Sequence, residues 1–277
     1  MRSQDLYSVI DGEGLHSGIH NIIYLTTGKE QGINFYYHCE ATQEHEEFNI
    51  RDCKVVNTIG SLDIAYKDIR INTIEHLLGA LHFHGIDSIT IEITDKVTEI
   101  PILNGSISGY IEDDLNIRDV LGPSKYIIIL KDVTINMDNQ MAKLSAHHRF
   151  IIDYTFMGHR YHETIGDNAV LNAKTFVNVD DIPSLIKSGR CLGGSGSNNT
   201  NIVDFKNNKI LSPGKYNEDI IQELLYHKVA DALGDLYITG YPIIGKYTAN
   251  NSNHTINAML MQELMSDSSN YKIVEED

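Results

Sequence analysis

The chain has 277 residues, 42% of them hydrophobic, and its 38 acidic and 22 basic residues give a formal net charge of −16. This length suffices for one large core or for two domains of ordinary size. The negative charge repels phosphate backbones and anionic bilayers, which disfavours nucleic acid as a partner. No apolar window reaches the roughly 18 residues of a transmembrane helix, and the polar start MRSQDLYSVIDGEG lacks the apolar run of a secretory signal.

Cysteine usage is uninformative about catalysis. The three cysteines, Cys39, Cys53 and Cys191, are odd in number and form no CxxC pair. This pattern fits a reduced, cytoplasmic compartment and gives no reason to expect a disulfide framework.

Short β-rich runs followed by a helix make up the first half of the chain. Apolar residues recur at helical spacing over Thr73–His84, and Gly85 is placed to end that helix. Residues Ser88–Thr94 alternate like a strand. The other predicted elements are strands at Leu6–Ile10, Ile19–Leu25 and Ile33–His38 and a short helix at Ile107–Leu115.

The second half repeats the order of strands and then helix, although we find no residue-level repeat. Its predicted strands are Tyr126–Ile135, Met141–Ala146, Phe150–Phe156 and Tyr241–Tyr247, and its predicted helices are Asn217–Ile238 and Thr255–Met265. The turn signal Gly122-Pro123 marks a linker. We therefore predict two similar α+β domains, residues 1–120 and 126–277, joined by residues 121–125 and packed face to face.

The strongest local pattern is YHKVADALGDLY, residues 226–237. On a helix, His227, Asp231 and Asp235 fall at i, i+4 and i+8 and share one face. An imidazole and a carboxylate one turn apart can chelate a single cation. The alternative is a solvated face with ordinary i, i+4 pairing, and this motif alone does not decide between the two.

A second pattern places Glu75 and His76 side by side near the start of the first helix. A histidine in such an apolar helix is often simply a residue near the hydrophobic core. Hydrolytic zinc sites, however, need three protein ligands, an open position and a carboxylate that takes a proton from water. His76 could supply the third ligand and Glu75 the base.

His254 lies in NSNHTIN, just before the last predicted helix. A lone histidine there could be a cap or a surface residue. Near a hydrolytic site it could instead protonate a leaving amine, with Asp235 keeping it charged.

Seven segments together resemble the UDP-3-O-acyl-N-acetylglucosamine deacetylases of lipid A biosynthesis in Gram-negative bacteria, over about Val9 to Leu260. They are GEGLHSG (Gly12–Gly18), TIEHLLGAL (Thr73–Leu81), EIPILNGS (Glu99–Ser106), KTF (Lys174–Phe176), LGGS (Leu192–Ser195), HKVADALGDLYITG (His227–Gly240) and NHTIN (Asn253–Asn257). The resemblance implies two α+β domains with a zinc site between them. It also implies hydrolysis of the N-acetyl group of a UDP-linked acylated glucosamine, with release of acetate.

The resemblance assigns roles to individual residues. It implies that Zn²⁺, for which Fe²⁺ could substitute, binds the following three ligands: His76, His227 and Asp231. It implies Glu75 as general base, His254 as general acid with Asp235 as its partner, and Thr175 as the donor to the oxyanion. The implied substrate-site residues are Lys228, Phe176 and His16.

Three positions depart from the family pattern. Asn104 stands where Asp is usual, Lys174 replaces an arginine, and Asn253 replaces a glycine. None of these removes a ligand or a proton-transfer residue, so we expect a divergent but active member.

The sequence allows two interpretations for each of two segments. The apolar residues Ile182, Leu185 and Ile186 could line a groove for the acyl chain or form plain helix core. The glycine-rich segment Gly189–Asn201 could be a flexible surface loop or a gate for a ligand.

Two functional alternatives remain beside the main hypothesis. One is a zinc deacetylase of another acylated amino sugar, and the other is a catalytically silent homologue. A catalytically silent homologue is disfavoured because none of the five proposed catalytic and metal-binding residues is lost: Glu75, His76, His227, Asp231 and His254. We expect a monomer without an integral membrane segment and with no nucleic-acid partner.

Overall fold

The computed structural model describes residues 6–27, 31–112, 125–164, 167–193, 199–212 and 219–275. These ranges contain runs of strands interrupted by a few helices, and the strands form several small sheets, which confirms the predicted α+β class. None of the helices in them combines the length and the apolar character that crossing a bilayer requires.

The described part of the first half has nine strands and two α-helices. They are β1 (Leu6–Glu13), β2 (His20–Thr27), β3 (Gly32–Cys39), β4 (Glu44–Asn49), β5 (Lys54–Asn57), β6 (Asp63–Tyr66), β7 (Ile69–Asn72), α1 (Glu75–His84), β8 (Ser88–Ile93), β9 (Val97–Glu99) and α2 (Gly109–Glu112).

The described part of the second half has eleven strands and four α-helices. They are β10 (Lys125–Ile129), β11 (Val133–Met137), β12 (Gln140–Ser145), β13 (Ile151–Phe156), β14 (His159–Glu163), α3 (Asn168–Leu171), β15 (Phe176–Asn178), α4 (Ile182–Lys187), β16 (Asn201–Asp204), β17 (Lys209–Ile210), α5 (Ile220–Leu236), β18 (Ile243–Ile244), β19 (Lys246–Asn250), α6 (His254–Ser266) and β20 (Tyr271–Glu275).

Each half builds one five-stranded sheet, and the two sheets have the same topology. The strand orders are β1-β2-β8-β3-β4 and β11-β12-β19-β13-β14. In each sheet only the pair formed by the third and fourth strands in this order is parallel, β8 with β3 and β19 with β13. Among the described residues every strand pairs within its own half, so two similar α+β units are confirmed. The boundaries 1–120 and 126–277 stay a prediction.

Alternation along the central strands explains which face of each sheet is buried. In β3, Ile33, Phe35 and Tyr37 are buried and lie opposite three isoleucines of β8. Successive side chains of a strand point to opposite faces, so this alternation gives the sheet one apolar face. Helix α1 packs against helix α5, and residues of both helices join the same hydrophobic core.

Glycine allows α1 and α5 to approach closely. A Cβ atom on Gly234 of α5 would overlap the carbonyl oxygen of Glu75 on α1. Further along, His82 Nδ1 lies 2.9 Å from the carbonyl oxygen of Leu233, and burial lowers the pKa of His82 to about 4. The neutral ring therefore donates a second link between the helices. This crossing brings the start of α1 beside the middle of α5.

Each unit carries an added small sheet, and all its strands except β9 lie in the chain between the fourth strand of the main sheet (β4 or β14) and the central helix (α1 or α5). In the first unit this sheet has the strand order β5-β6-β7-β9, and in the second unit β15, β16 and β17 form a three-stranded sheet. Their strands have two to four residues. Both insertions border the meeting point of α1 and α5.

The structure divides two predicted strands. Residues Tyr126–Ile135 form β10 and β11, which belong to different sheets. Residues Tyr241–Tyr247 likewise form β18 and β19, separated by Gly245, where a Cβ would lie 2.6 Å from Ile129 Cγ1. The sequence predicted continuous strands because β-rich composition does not record a change of sheet. Strand β20, in the acidic C-terminal segment, was not predicted and pairs antiparallel with β10.

Three predictions fall partly outside the described residues. The linker 121–125 is described only at Lys125, the first residue of β10. The predicted helix Ile107–Leu115 is described as α2 up to Glu112. Helix α5 begins at Ile220 with Asp219 as its N-cap, and residues 217–218 of the predicted helix lie outside.

Candidate active site

Three buried side chains from two helices meet where α1 crosses α5. His76 Nε2 and His227 Nε2 lie 3.3 Å and 3.2 Å from Asp231 Oδ1. Each of the three residues offers one donor atom, and these atoms lie within 4.8 Å of one another. In the described part of the chain this is the one group of three or more His, Cys, Asp or Glu residues with such spacing. The three predicted metal ligands are therefore together, although 155 positions separate His76 from Asp231.

The donor chemistry fits a metal ion. Donors bound at about 2.0–2.1 Å around a tetrahedral ion lie roughly 3.3 Å apart, which matches both His–Asp distances. Burial lowers the pKa of His227 to about 3 although Asp231 opposes the shift, so its ring is neutral and keeps a free lone pair. Burial would raise the pKa of Asp231, but His227, Lys228 and His254 hold it well below its ordinary value. A neutral imidazole and a carboxylate anion are the protonation states that a divalent ion requires.

Glu75 precedes His76 at the start of α1 and is equally buried. Its Oε2 accepts a hydrogen bond from the Leu62 N–H at 2.9 Å. Burial raises the pKa of Glu75, with His254 and His76 opposing the shift. The predicted base is thus a desolvated carboxylate held by one backbone donor.

His254 and Asp235 form a buried pair. His254 Nδ1 lies 2.8 Å and 3.0 Å from the two Asp235 oxygens, and its Nε2 lies 3.8 Å from Asp231 Oδ2. Burial lowers the pKa of His254, but Asp235 and Asp231 outweigh burial and raise it to about 9. Asn257 donates to Asp235 Oδ2 at 2.8 Å, and Tyr247 donates to Asn257 Oδ1 at 2.6 Å. The predicted acid is therefore oriented by a connected polar network.

The N-terminus of α6 positions His254. Asn253 is the N-cap, and its side chain accepts from the Ile256 N–H at 3.1 Å. Its φ of −151° is extended backbone, so an asparagine fits here as well as the usual glycine does. The Thr255 hydroxyl lies 2.8 Å from the Thr58 hydroxyl, which ties this end of α6 to the first unit.

Phe176 and Lys228 flank the metal-ligand candidates His76, His227 and Asp231 (the metal group). The Phe176 ring meets the His227 ring edge-on, with centroids 5.6 Å apart. Lys228 Nζ donates to Asp231 Oδ2 at 2.7 Å and lies 5.5 Å from the Phe176 centroid. Lys228 therefore contacts a metal-ligand candidate directly, a contact that its predicted substrate role did not include.

Thr175 stands next to Phe176 on a backbone held from both sides. Its N–H donates to the Gly105 carbonyl at 2.8 Å, and its carbonyl accepts from the Asn201 N–H at 2.8 Å. Asn104, beside Gly105, has a φ of +53°, a conformation that asparagine adopts more readily than most residues. The substitution at Asn104 is therefore compatible with the turn. Lys174 is half-buried beside Thr175, and its replacement of arginine has no further structural explanation.

His16 contacts loop residues rather than the metal group. Its Nε2 lies 3.2 Å from the Gly60 carbonyl oxygen and 3.4 Å from Arg190 Nη2. Burial and the Arg190 charge lower the pKa of His16. Leu192 N–H donates to the His16 carbonyl at 3.1 Å, so the GLHSG and LGGS segments pack together. Residues 194–198 of the segment Gly189–Asn201 lie outside the described ranges.

The helix-core interpretation of Ile182, Leu185 and Ile186 is wrong. Helix α4, which carries them, has no buried residue, and Ile186 is 49% exposed. Ile182 and Leu185 are half-buried and Ile186 is exposed, so the described residues leave part of this apolar surface open to solvent.

Sequence patterns missed Glu99 and Asn257 as organisers of the site. Glu99 accepts from the His16 N–H at 2.7 Å and the Ser17 N–H at 2.8 Å. Both residues lie inside segments that carry the family resemblance, EIPILNGS and NHTIN. An acidic residue directly before Ile-Pro and an asparagine one turn after His254 are the sequence signals that could have found them.

Two comparisons with known proteins identify one family. The family model LpxC, UDP-3-O-acyl N-acetylglycosamine deacetylase, matches residues 7–266. A Helicobacter pylori protein named UDP-3-O-acyl-N-acetylglucosamine deacetylase is 31% identical over an alignment of 278 positions, which covers 95% of this chain and 90% of the relative. Two other proteins of that name are also similar. The one from Psychrobacter sp. is 32% identical over an alignment of 240 positions that covers 79% of this chain and 77% of the relative. The one from Campylobacter hominis is 30% identical over 279 positions that cover 95% of this chain and 90% of the relative. The chain belongs to the UDP-3-O-acyl-N-acetylglucosamine deacetylase family.

Proposed function

We propose that the chain is a zinc-dependent deacetylase that hydrolyses the N-acetyl group of UDP-3-O-acyl-N-acetylglucosamine and releases acetate, a step of lipid A biosynthesis. The observation that carries the proposal is the meeting of His76, His227 and Asp231, whose donor atoms lie within 4.8 Å of one another. Relatives over nearly the whole chain are named for this activity. Family membership supports the substrate, and the donor set supports the metal.

The proposed reaction adds water across an amide. When bound, the zinc ion supplies polarisation of the acetyl carbonyl and lowers the pKa of water. Glu75, which lies beside the ligand His76, accepts a proton from the attacking water. The Thr175 hydroxyl donates to the developing oxyanion, where charge appears only in the transition state.

The C–N bond then breaks and the sugar amine leaves. An amine anion is a poor leaving group, so a proton must reach the nitrogen as the bond breaks. We assign this proton to His254 Nε2, because its Nδ1 is engaged with both Asp235 oxygens. Acetate and the free amine are the products.

The apolar surface of α4 supports a substrate with an acyl chain. Ile182 and Leu185 are half-buried and Ile186 is exposed, so a hydrocarbon chain could cover area that water now wets. Lys228 and His16 are proposed to contact the polar part of the substrate.

The test is acetate release from UDP-3-O-acyl-N-acetylglucosamine by protein stripped of metal and then reloaded with Zn²⁺ or Fe²⁺. We expect no release by the stripped protein and recovery after reloading. A second acylated N-acetyl amino sugar without UDP serves as the comparison substrate. Faster acetate release from the comparison substrate would overturn the proposed substrate. No acetate release from either substrate by folded, metal-loaded protein would favour a catalytically silent homologue.

A further inference from the structure

The turn that leads into α1 has an unusual backbone. Thr73, two residues before Glu75, has a φ of +57° and is 1% exposed. A β-branched residue rarely adopts this left-handed conformation, which persists only where the surroundings hold it. The hydrogen bonds around Thr73 should therefore show what holds the turn.

Two buried carboxylates hold Thr73. Its N–H donates to Asp63 Oδ1 at 3.1 Å, and its hydroxyl donates to Glu99 Oε1 at 3.1 Å. The Asp63 carboxylate is itself fixed by the Ser61 hydroxyl at 2.9 Å and the Asn57 amide at 2.9 Å. Every partner is a side chain of the first unit. A single substitution at Thr73 can remove the hydrogen bond from its hydroxyl to Glu99 while the backbone N–H bond to Asp63 remains possible.

The same turn is bound to the segment that holds Glu75. Ile74 N–H donates to the Leu62 carbonyl at 3.1 Å, and Leu62 N–H donates to Glu75 Oε2 at 2.9 Å. Asp63, which follows Leu62, binds Thr73. Residues 62–63 and 73–75 are thus joined by three hydrogen bonds, one of which ends on the Glu75 carboxylate.

Glu99 connects this turn to the GLHSG segment. Its Oε1 accepts from both the Thr73 hydroxyl and the His16 N–H, while its Oε2 accepts from the Ser17 N–H. A Cβ on Gly14 would overlap the Glu99 carboxylate, so the segment lies directly against it. One carboxylate therefore orders the turn before Glu75 and the loop that carries His16.

We propose that Thr73 is a positioning residue whose hydroxyl, bound to Glu99, fixes the left-handed turn and thereby the place of the Glu75 carboxylate. This inference rests on the proposed function, since it concerns the base of that reaction. Loss of the hydroxyl frees the turn and displaces Glu75, which lowers kcat. Loss of the Glu99 acceptor also loosens the His16 segment, which changes KM as well.

The experiment compares Thr73→Ser with Thr73→Val and Thr73→Ala. All three variants keep the backbone N–H. Serine keeps the hydroxyl, valine keeps the branched shape without the hydroxyl, and alanine has neither the hydroxyl nor the branch and fits the turn more easily than valine. Rates are expressed per folded, zinc-loaded molecule, so that a loss of stability alone changes nothing. We expect kcat to fall about tenfold or more for the valine and alanine variants, with KM within about threefold, and serine to stay close to wild type.

Two further measurements keep the outcome clear. Amide hydrogen exchange at Leu62 and Ile74 should accelerate in the valine and alanine variants but not in the serine variant, whatever the activity. Glu99→Gln should lower kcat and raise KM together. Equal kcat in the serine and alanine variants, with unchanged exchange at Leu62, would overturn the inference. An inactive wild type would instead overturn the proposed function, while the exchange data would still test the turn.

Discussion

His254 Nδ1 lies within 3.0 Å of both carboxylate oxygens of Asp235, one helical turn beyond the ligand candidate Asp231. Both members of this pair are buried. The His254 ring is therefore fixed in orientation, with Nε2 turned toward the metal group. One face of α5 carries both the metal-ligand candidate Asp231 and the partner of the proposed acid.

Asp235→Asn tests that pair. The amide keeps the shape of the side chain but removes the charge that favours protonated His254, so kcat should fall by about 100-fold or more. Zinc content should stay at wild-type level, because Asp235 is not among the three ligand candidates. Exposed Asp180→Asn is the control and should keep wild-type kcat; a similar loss in both variants would contradict the assignment.

His227→Ala tests the metal group. Removing one of three donors should lower zinc affinity by more than about 100-fold, because the remaining two cannot complete the site. The measurement is competition with a chromophoric chelator, followed by metal analysis. His162→Ala, a half-exposed histidine of β14, is the matched control. Equal zinc affinity in the two variants would show that the ion binds elsewhere.

Gly234→Ala tests the contact of α1 with α5. The new methyl group would overlap the Glu75 carbonyl oxygen, and a backbone atom of a packed helix cannot move aside cheaply. We expect a loss of about 1–3 kcal/mol in the free energy of unfolding, or more, measured by urea titration. Gly158→Ala is the comparison, because its Cβ meets nothing within 4 Å and carries only the cost of a φ of +85°. A smaller loss at Gly234 than at Gly158 would contradict the close approach.

The ion pairs of Asp153, which lies outside the candidate active site, should make the free energy of unfolding sensitive to acid. Arg160 donates to both its oxygens at 2.7 Å and 2.9 Å, Lys246 lies at 2.7 Å, and His162 at 3.4 Å. The Arg160 hydrogen bonds, with Lys246, hold the pKa of Asp153 below its ordinary value of 3.8, against the opposing effect of burial.

The folded state therefore binds fewer protons at Asp153 than the unfolded state does. Its stabilisation is fully present above the ordinary value of 3.8 and is lost as pH falls below it. Asp153→Asn should lower the free energy of unfolding by about 1–3 kcal/mol at neutral pH, with the difference from wild type shrinking below about pH 4. A difference that is constant down to about pH 2 would contradict this account.

Much of the site could be predicted because its residues sit in local patterns. The i, i+4 spacing of His227 and Asp231 and the adjacency of Glu75 and His76 follow from the sequence. Their meeting could not follow from spacing, since it depends on the crossing of α1 and α5 that Gly234 permits. Family resemblance supplied that step.

The sequence did not predict the contacts that support the site. Thr73 has a left-handed backbone that no composition rule assigns to a β-branched residue, and Glu99 acts through partners 26 and 83 positions away. The short strands of the added sheets were missed because two to four residues carry too little periodicity to detect. Strand β20 gains its structure from pairing with β10, which local propensity does not record.

The most direct test of the central claim is acetate release from UDP-3-O-acyl-N-acetylglucosamine by wild type and Glu75→Gln at equal zinc content. Glutamine keeps the shape of the side chain but cannot accept the proton of water at neutral pH. The account predicts robust release by wild type and a loss of kcat of about 100-fold or more in the variant, with zinc still bound. Comparable kcat in the two proteins would contradict the assignment of Glu75 as the base, and no release by zinc-loaded wild type would contradict the proposed reaction itself.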